Sequence, residues 1–127
     1  MNNFVLGMFL SSLVLFSFSV ADAAQEPQDV VAAYFHAMKN GDVVTMKSYM
    51  GGKLYEKRKI LLEQNVNYPD FLRNHYEQGD IQVGEAHDGV VKVMVQFPDG
   101  SIHAHQLVVE QDPDGNWKII NEISRDR

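Results

Sequence analysis

The chain contains no cysteine. Disulfides, thiolate metal ligands and lipid attachment through an N-terminal cysteine are therefore excluded. Basic residues are also scarce: 11 Lys and Arg stand against 17 Asp and Glu, a formal net charge of −6. A general nucleic-acid binder needs a basic footprint to displace counterions, so that class is excluded too. No Ser/His/Asp nucleophile motif, phosphate loop or dinucleotide fingerprint occurs. Lys and Arg are missing from Met1-Asn2-Asn3 as well, so only the α-amino group is positive ahead of the first apolar run.

That run, Phe4 to Val20, is almost entirely apolar or small and uncharged. Ala21-Asp22-Ala23 follows with the small-x-small pattern cut by signal peptidase, and Gln25-Glu26-Pro27-Gln28-Asp29 suits a new N-terminus. Residues 1–23 are read as a signal peptide. The rival reading is an uncleaved anchor, but the run is at the short end of the spanning range and carries Ser11, Ser12, Ser17 and Ser19. Cleavage leaves residues 24–127 with 16 acids against 11 bases. The expected product is a single domain, periplasmic or secreted and not membrane-bound, with packing alone to hold it.

Up to about residue 78 the pattern is helical. Pro27 suits the first turn of a helix. Val30, Ala33, Tyr34, Ala37 and Met38 recur at three- and four-residue spacing, and Asn40-Gly41 suits a left-handed C-terminal cap. Asp42 can cap a short second helix carrying Val43, Met46, Tyr49 and Met50, broken by Gly51-Gly52. A third helix over 54–64 turns Leu54, Leu61 and Leu62 inward and leaves Glu56-Lys57-Arg58-Lys59 as a solvated face. Pro69-Asp70 opens a further turn or short helix with Phe71, Leu72 and Tyr76.

After Gly79-Asp80 the period becomes two. Strands near 80–86, 90–97, 101–111 and 116–124 are divided by Asp88-Gly89, Pro98-Asp99-Gly100 and Pro113-Asp114-Gly115, all hairpin signals. Read as three-residue loops with a glycine bulge, the last two turns pair Val95 with His103, Val93 with His105 and Val91 with Leu107. They also pair Gln111 with Trp117, Val109 with Ile119, Leu107 with Asn121 and His105 with Ile123. Opposed residues share a face, so the helix-covered face holds the valines of 91–95, Phe97, both histidines, Leu107, Val109, Trp117, Ile119 and Ile123. Glu122 and Ser124 fall on the other face, with Lys92, Met94, Gln96, Gln106, Glu110 and Lys118. Two-residue Asp-Gly turns would shift the register by one and send both histidines outward.

The opening Pro27-x-x-Val30-Val31-x-x-Tyr34-Phe35-x-Ala37-Met38-x-x-Gly41-Asp42, the strand Val91–Phe97 with Asp99-Gly100, and the closing Asp114-Gly115-Asn116-Trp117-Lys118-Ile119 resemble the nuclear transport factor 2-like superfamily, which includes ketosteroid isomerase. The resemblance covers essentially the whole of residues 24–127. It implies an α+β cone, with three to four N-terminal helices packed on the concave face of a curved four-stranded antiparallel sheet and a cavity between them. Relatives use that cavity for catalysis or ligand binding, or fill it and work through the other sheet face in dimers or larger assemblies. Fold alone does not choose among these.

The candidates for such a cavity are His103, His105, Asn121 and Glu85 from the sheet, Tyr34 and Tyr76 from the helices, and Trp117 as lining or filling. His103-x-His105 places two imidazoles on one strand face. A metal site wants a third ligand, and His36, His75, His87 and Glu85 lack motif spacing to the pair, so neither metal nor cofactor is expected. No complete catalytic constellation of the relatives can be matched. The expected function is that of a non-enzymatic exported domain binding a small apolar ligand or another envelope protein. The alternative is a cavity enzyme of the isomerase or dehydratase proton-transfer class using His103 and His105. Met94, Ala104, Val108 and Ile120 on the outer sheet face suit a homodimer, or ordinary strand propensity.

Overall fold

A computed structural model describes residues 25–126; the signal peptide expected over residues 1–23 lies outside the described residues. Four helices come first: α1 Pro27–Asn40, α2 Val43–Ser48, α3 Gly52–Gln64 and α4 Tyr68–Tyr76. Four strands follow: β1 Asp80–His87, β2 Val90–Gln96, β3 Ile102–Gln111 and β4 Trp117–Asp126. They form one antiparallel sheet in the order β1-β2-β3-β4. This is the expected α+β arrangement, with the helices N-terminal to a curved sheet.

Local chemistry accounts for the helix ends. Pro27 opens α1, and the Asp29 carboxylate accepts from the Glu26 N–H at 2.9 Å. Gly41 closes the helix at φ +66°, where its N–H reaches the Met38 carbonyl and the Asp42 N–H reaches that of Ala37. A side chain on Gly41 would also lie 2.7 Å from the Pro69 carbonyl oxygen, so the residue lets α4 begin close against the end of α1. The Asp42 carboxylate accepts from the Thr45 N–H and caps α2. Val31 and Phe35 are fully buried beside the expected Val30, Tyr34, Ala37 and Met38, so the apolar face of α1 is broader than the spacing predicts. In α3, Leu54 is buried and Leu62 partly so, whereas Leu61 is exposed. Phe71 of α4 also faces outward, at 61 % exposure, while Leu72 and Tyr76 are buried.

The β2–β3 register is the expected one: Val95 opposes His103, Val93 opposes His105 and Val91 opposes Leu107. The Phe97 N–H donates to the Ser101 carbonyl at 3.0 Å, and Gly100 takes φ +90° in the turn. The β3–β4 hairpin also begins as expected, with Gln111 opposite Trp117 and Val109 opposite Ile119. It then departs. Val108 faces Asn121, so Ile120 is an extra residue and the strand carries a β-bulge. Beyond it, Leu107 opposes Glu122 and His105 opposes Ser124.

The bulge falls where the α2–α3 connection docks on this edge strand. The Ile119 N–H donates to the Tyr49 carbonyl at 2.8 Å, the Gly51 N–H donates to the Ile119 carbonyl at 3.0 Å, and Met50 bridges Ile119 in parallel. Because strand side chains alternate, one inserted residue exchanges the two faces from there on. Glu122 and Ser124 therefore come to the helix-covered face. Ile123 is turned out to 49 % exposure, reversing the expected placement of all three. A second bulge lies between Val83 and Ala86 of β1, at Gly84-Glu85.

Candidate functional site

The bulge in β4 creates the most distinctive feature of the interior, a polar chain set among apolar and aromatic side chains. His105 is 4 % exposed and the Glu122 side chain 5 %. Nδ1 of His105 is 2.9 Å from Oε2 of Glu122 and 3.0 Å from Oγ of Ser124. The other carboxylate oxygen of Glu122 faces Nη2 of Arg58 at 2.9 Å, as an ion pair without hydrogen-bond alignment. Nη1 of Arg58 donates to the Tyr34 hydroxyl at 3.0 Å. Residues from α1, α3, β3 and β4 thus meet through one carboxylate and one guanidinium.

The electrostatics follow from this arrangement. Burial alone raises the pKa of the Glu122 carboxyl, but the His105 hydrogen bond and the nearby charges of Arg58 and His105 outweigh it and hold the group below its ordinary range. Burial likewise opposes the charge on Arg58, and the neighbouring Tyr34 and Glu122 overcome it, so the guanidinium's pKa is raised. The Tyr34 hydroxyl is pushed well above its usual value, first by burial and then by the Glu122 carboxylate, with Arg58 pulling the other way. Tyr68 moves upward for the same first reason, and it feels both Arg58 and Glu122. Charge is therefore fixed on Arg58 and Glu122 and kept off the tyrosines.

One atom of the chain is left over. Nε2 of His105 is buried and has no hydrogen-bond partner. The ring meets Phe35 edge-on at 5.2 Å between centroids, and Phe35 meets Tyr76 edge-on at 6.1 Å.

The expected site residues divide into two groups. Tyr34, Tyr76 and His105 come together in the interior. His103 shares their face but lies at the rim, 4.9 Å from the Phe97 ring and 5.6 Å from His75 between centroids. Glu85 is exposed, because the bulge at Gly84-Glu85 breaks the alternation that would have turned it inward. Asn121 opposes Val108 on the outer face, displaced by the bulge at Ile120. Trp117 packs against the core next to the last turn, six strand positions from His105 and so about 20 Å along β3.

The spacing missed Arg58, Glu122 and Ser124. Arg58 had a signal, since it lies one turn after the buried Leu54, on the stripe that continues to Leu62. No group of three or more His, Asp or Glu able to hold a metal occurs among the described residues. No described helix is long and apolar enough to cross a membrane.

Two recesses flank α4. One, of about 570 Å³, lies between α4 and the β2–β3 turn and is lined by His75, Asn74, Gln78, Phe97, Asp99 and His103, among others. The other, of about 400 Å³, lies between α3 and α4 and is lined by Leu61, Asn65, Asn67, Tyr68 and Phe71. The Tyr68 and Phe71 rings in its wall run nearly parallel, 13° apart, with centroids 6.2 Å apart. The chain matches no protein-family model, no curated protein and no solved structure, so chemistry alone speaks for these sites.

Proposed function

We propose that this is an exported, non-enzymatic domain that binds a small, largely apolar ligand in the recess between α3 and α4. The observation that carries the reading is the composition of that recess. Leu61 and the parallel Tyr68 and Phe71 rings supply its apolar surface, and Asn65 and Asn67 supply polar groups at its edge. Small-molecule sites have this character, with volumes of roughly 300–1,000 Å³ and a few polar groups in an apolar lining. Exposing Phe71 at 61 % and Leu61 at 40 % serves no packing purpose in the folded chain. The order of helices followed by a curved antiparallel sheet also supports the resemblance to the nuclear transport factor 2-like superfamily, whose members include ligand binders.

The test is a fluorescence titration of the purified protein with the neutral apolar dye N-phenyl-1-naphthylamine. Saturable 1:1 binding is expected, weakened about tenfold by Phe71→Ser, the equivalent of roughly 1.4 kcal/mol of lost contact. Absence of saturable binding, or an affinity indifferent to Phe71→Ser, refutes the reading.

A second reading, proton transfer on an isomerase or dehydratase substrate, is favoured by one observation. The Glu122 carboxylate orients the His105 imidazole and leaves its far nitrogen without a protein partner, as a general base requires. On this reading His105 acts alone, since His103 is at the rim. Turnover of an enolisable ketone that vanishes in His105→Ala would establish it in place of the binding reading.

A further inference from the structure

The lining of the recess between α3 and α4 says more about its occupant than that it is largely apolar. None of Leu61, Asn65, Asn67, Tyr68 and Phe71 carries a charge. A carboxylate or an ammonium entering it would leave water without meeting an opposite charge, which is costly. The occupant is therefore neutral.

Hydrogen bonding narrows the class. Between the two helices the chain turns through Asn65-Val66-Asn67, where the Asn67 N–H donates to Oδ1 of Asn65 at 3.0 Å. That bond fixes the orientation of the Asn65 amide, because only its oxygen can accept. Both hydrogens on Nδ2 are left over, and no described group accepts from them. The Asn67 side chain makes no capping bond to α4, and the Tyr68 hydroxyl keeps its proton at neutral pH, so both can donate too. Among the side chains of the recess, the one amide whose orientation is fixed thus presents a donor. A carbonyl oxygen on the occupant meets it directly.

The apolar wall has a plane as well as an area. The Tyr68 and Phe71 rings lie 13° from parallel, and the Phe71 ring lies 6° from parallel to that of His75, with centroids 6.1 Å apart. Phe71 is mostly exposed, so a further ring can join this series. Aromatic pairs with centroids roughly 4.5–7 Å apart gain attraction beyond simple burial, which a saturated ring does not share.

We propose that this recess takes a neutral, planar aromatic molecule bearing a carbonyl, such as an aryl ester or amide. Its rings extend the Tyr68–Phe71 series, and its carbonyl oxygen accepts from Nδ2 of Asn65. The inference rests on the reading of the recess as a ligand site and adds the class of ligand.

The experiment titrates ¹⁵N-labelled protein, followed by NMR, with three probes: methyl 2-naphthoate, the shape-matched hydrocarbon 2-sec-butylnaphthalene, and the ring-saturated ester methyl decahydronaphthalene-2-carboxylate. On the unaltered chain, the two esters should shift the Asn65 side-chain amide protons downfield and the hydrocarbon should not. Asn65→Asp keeps an oxygen for the Asn67 N–H and removes the donors. It should weaken both esters roughly threefold to tenfold and leave the hydrocarbon unchanged. Phe71→Leu should weaken the two naphthalenes by roughly the same factor and the saturated ester less. Saturable binding with the Asn65 amide unmoved, or with Asn65→Asp felt alike by ester and hydrocarbon, overturns the carbonyl contact and leaves the apolar-ligand reading standing. Equal losses for all three probes in Phe71→Leu overturn the aromatic requirement in the same way. Binding of none of them, or binding indifferent to Phe71→Ser, overturns both.

Discussion

The interior has two ends that are built differently. Under the α2–α3 connection, Met46, Met50, Leu54, Val109 and Ile119 pack as hydrocarbon and thioether, with no titratable group among them. Toward the other end of β3 and β4, Tyr34, Arg58, His105, Glu122 and Ser124 are bound through specific polar contacts. The first end is held by volume and the second by partnership. Injury at the first should therefore scale with the atoms removed, and injury at the second with the charges left stranded.

The largest effect is expected at the polar end. Glu122→Ala strands Arg58 and deprives His105 of its acceptor, and removing one member of a buried ion pair costs about 3–5 kcal/mol in urea unfolding. The paired replacement Arg58→Met with Glu122→Leu should recover most of that loss, because a buried pair exchanged for apolar groups is often neutral. A double variant as unstable as Glu122→Ala would mean that the region is held by volume after all. At the apolar end, Leu54→Ala should cost about 3 kcal/mol, through lost transfer energy and a residual cavity, with no compensating partner change available.

Acid separates the ends more gently. The folded-state pKa of Glu122 is depressed, so its contribution is present above the ordinary value of 4.5 and is lost as pH falls through the lower folded value. The exposed Asp42, Glu63 and Asp99 are depressed too, by hydrogen bonds, and act with the same sign. Stability measured against pH should therefore fall less steeply below 4.5 in Glu122→Gln than in the wild type, without becoming flat. Leu54→Ala should leave the slope unchanged. Smallest of all, Ser124→Ala removes a secondary contact to Nδ1 while Glu122 remains, for about 0.5–1 kcal/mol in the same unfolding assay.

Much of the scaffold was legible in the sequence because its determinants are local. Pro98-Asp99-Gly100 sets its own turn, and that turn sets the pairing of both histidines with β2. Asn40-Gly41 and Asp42 set a helix end and the next helix start. Glu122 was not legible, because the bulge that turns it inward has no glycine or proline of its own. Its physical correlate is the docking of Tyr49 and Gly51, some 70 residues earlier in the chain, on the backbone of Ile119. Arg58 was hidden by its neighbours: three charged residues in the same run are solvated, and the fourth is turned in by the stripe begun at Leu54. Glu85 was misplaced although Gly84, a glycine within a strand pattern, is an ordinary sign of a bulge.

The extra residue at Ile120 also acts as a rule of parity for the end of the chain. Everything before it in β4 is counted odd-inward, and everything after it even-inward. Were Ile120 instead drawn into the ladder opposite Val108, the composition would be untouched, yet Asn121 and Ile123 would face the interior and Glu122 and Ser124 the solvent. Arg58 would then face a hydrocarbon wall, and His105 would have no carboxylate to hold its proton. The identity of the inner surface is thus encoded less in which residues the last strand contains than in which of them take a place in the ladder.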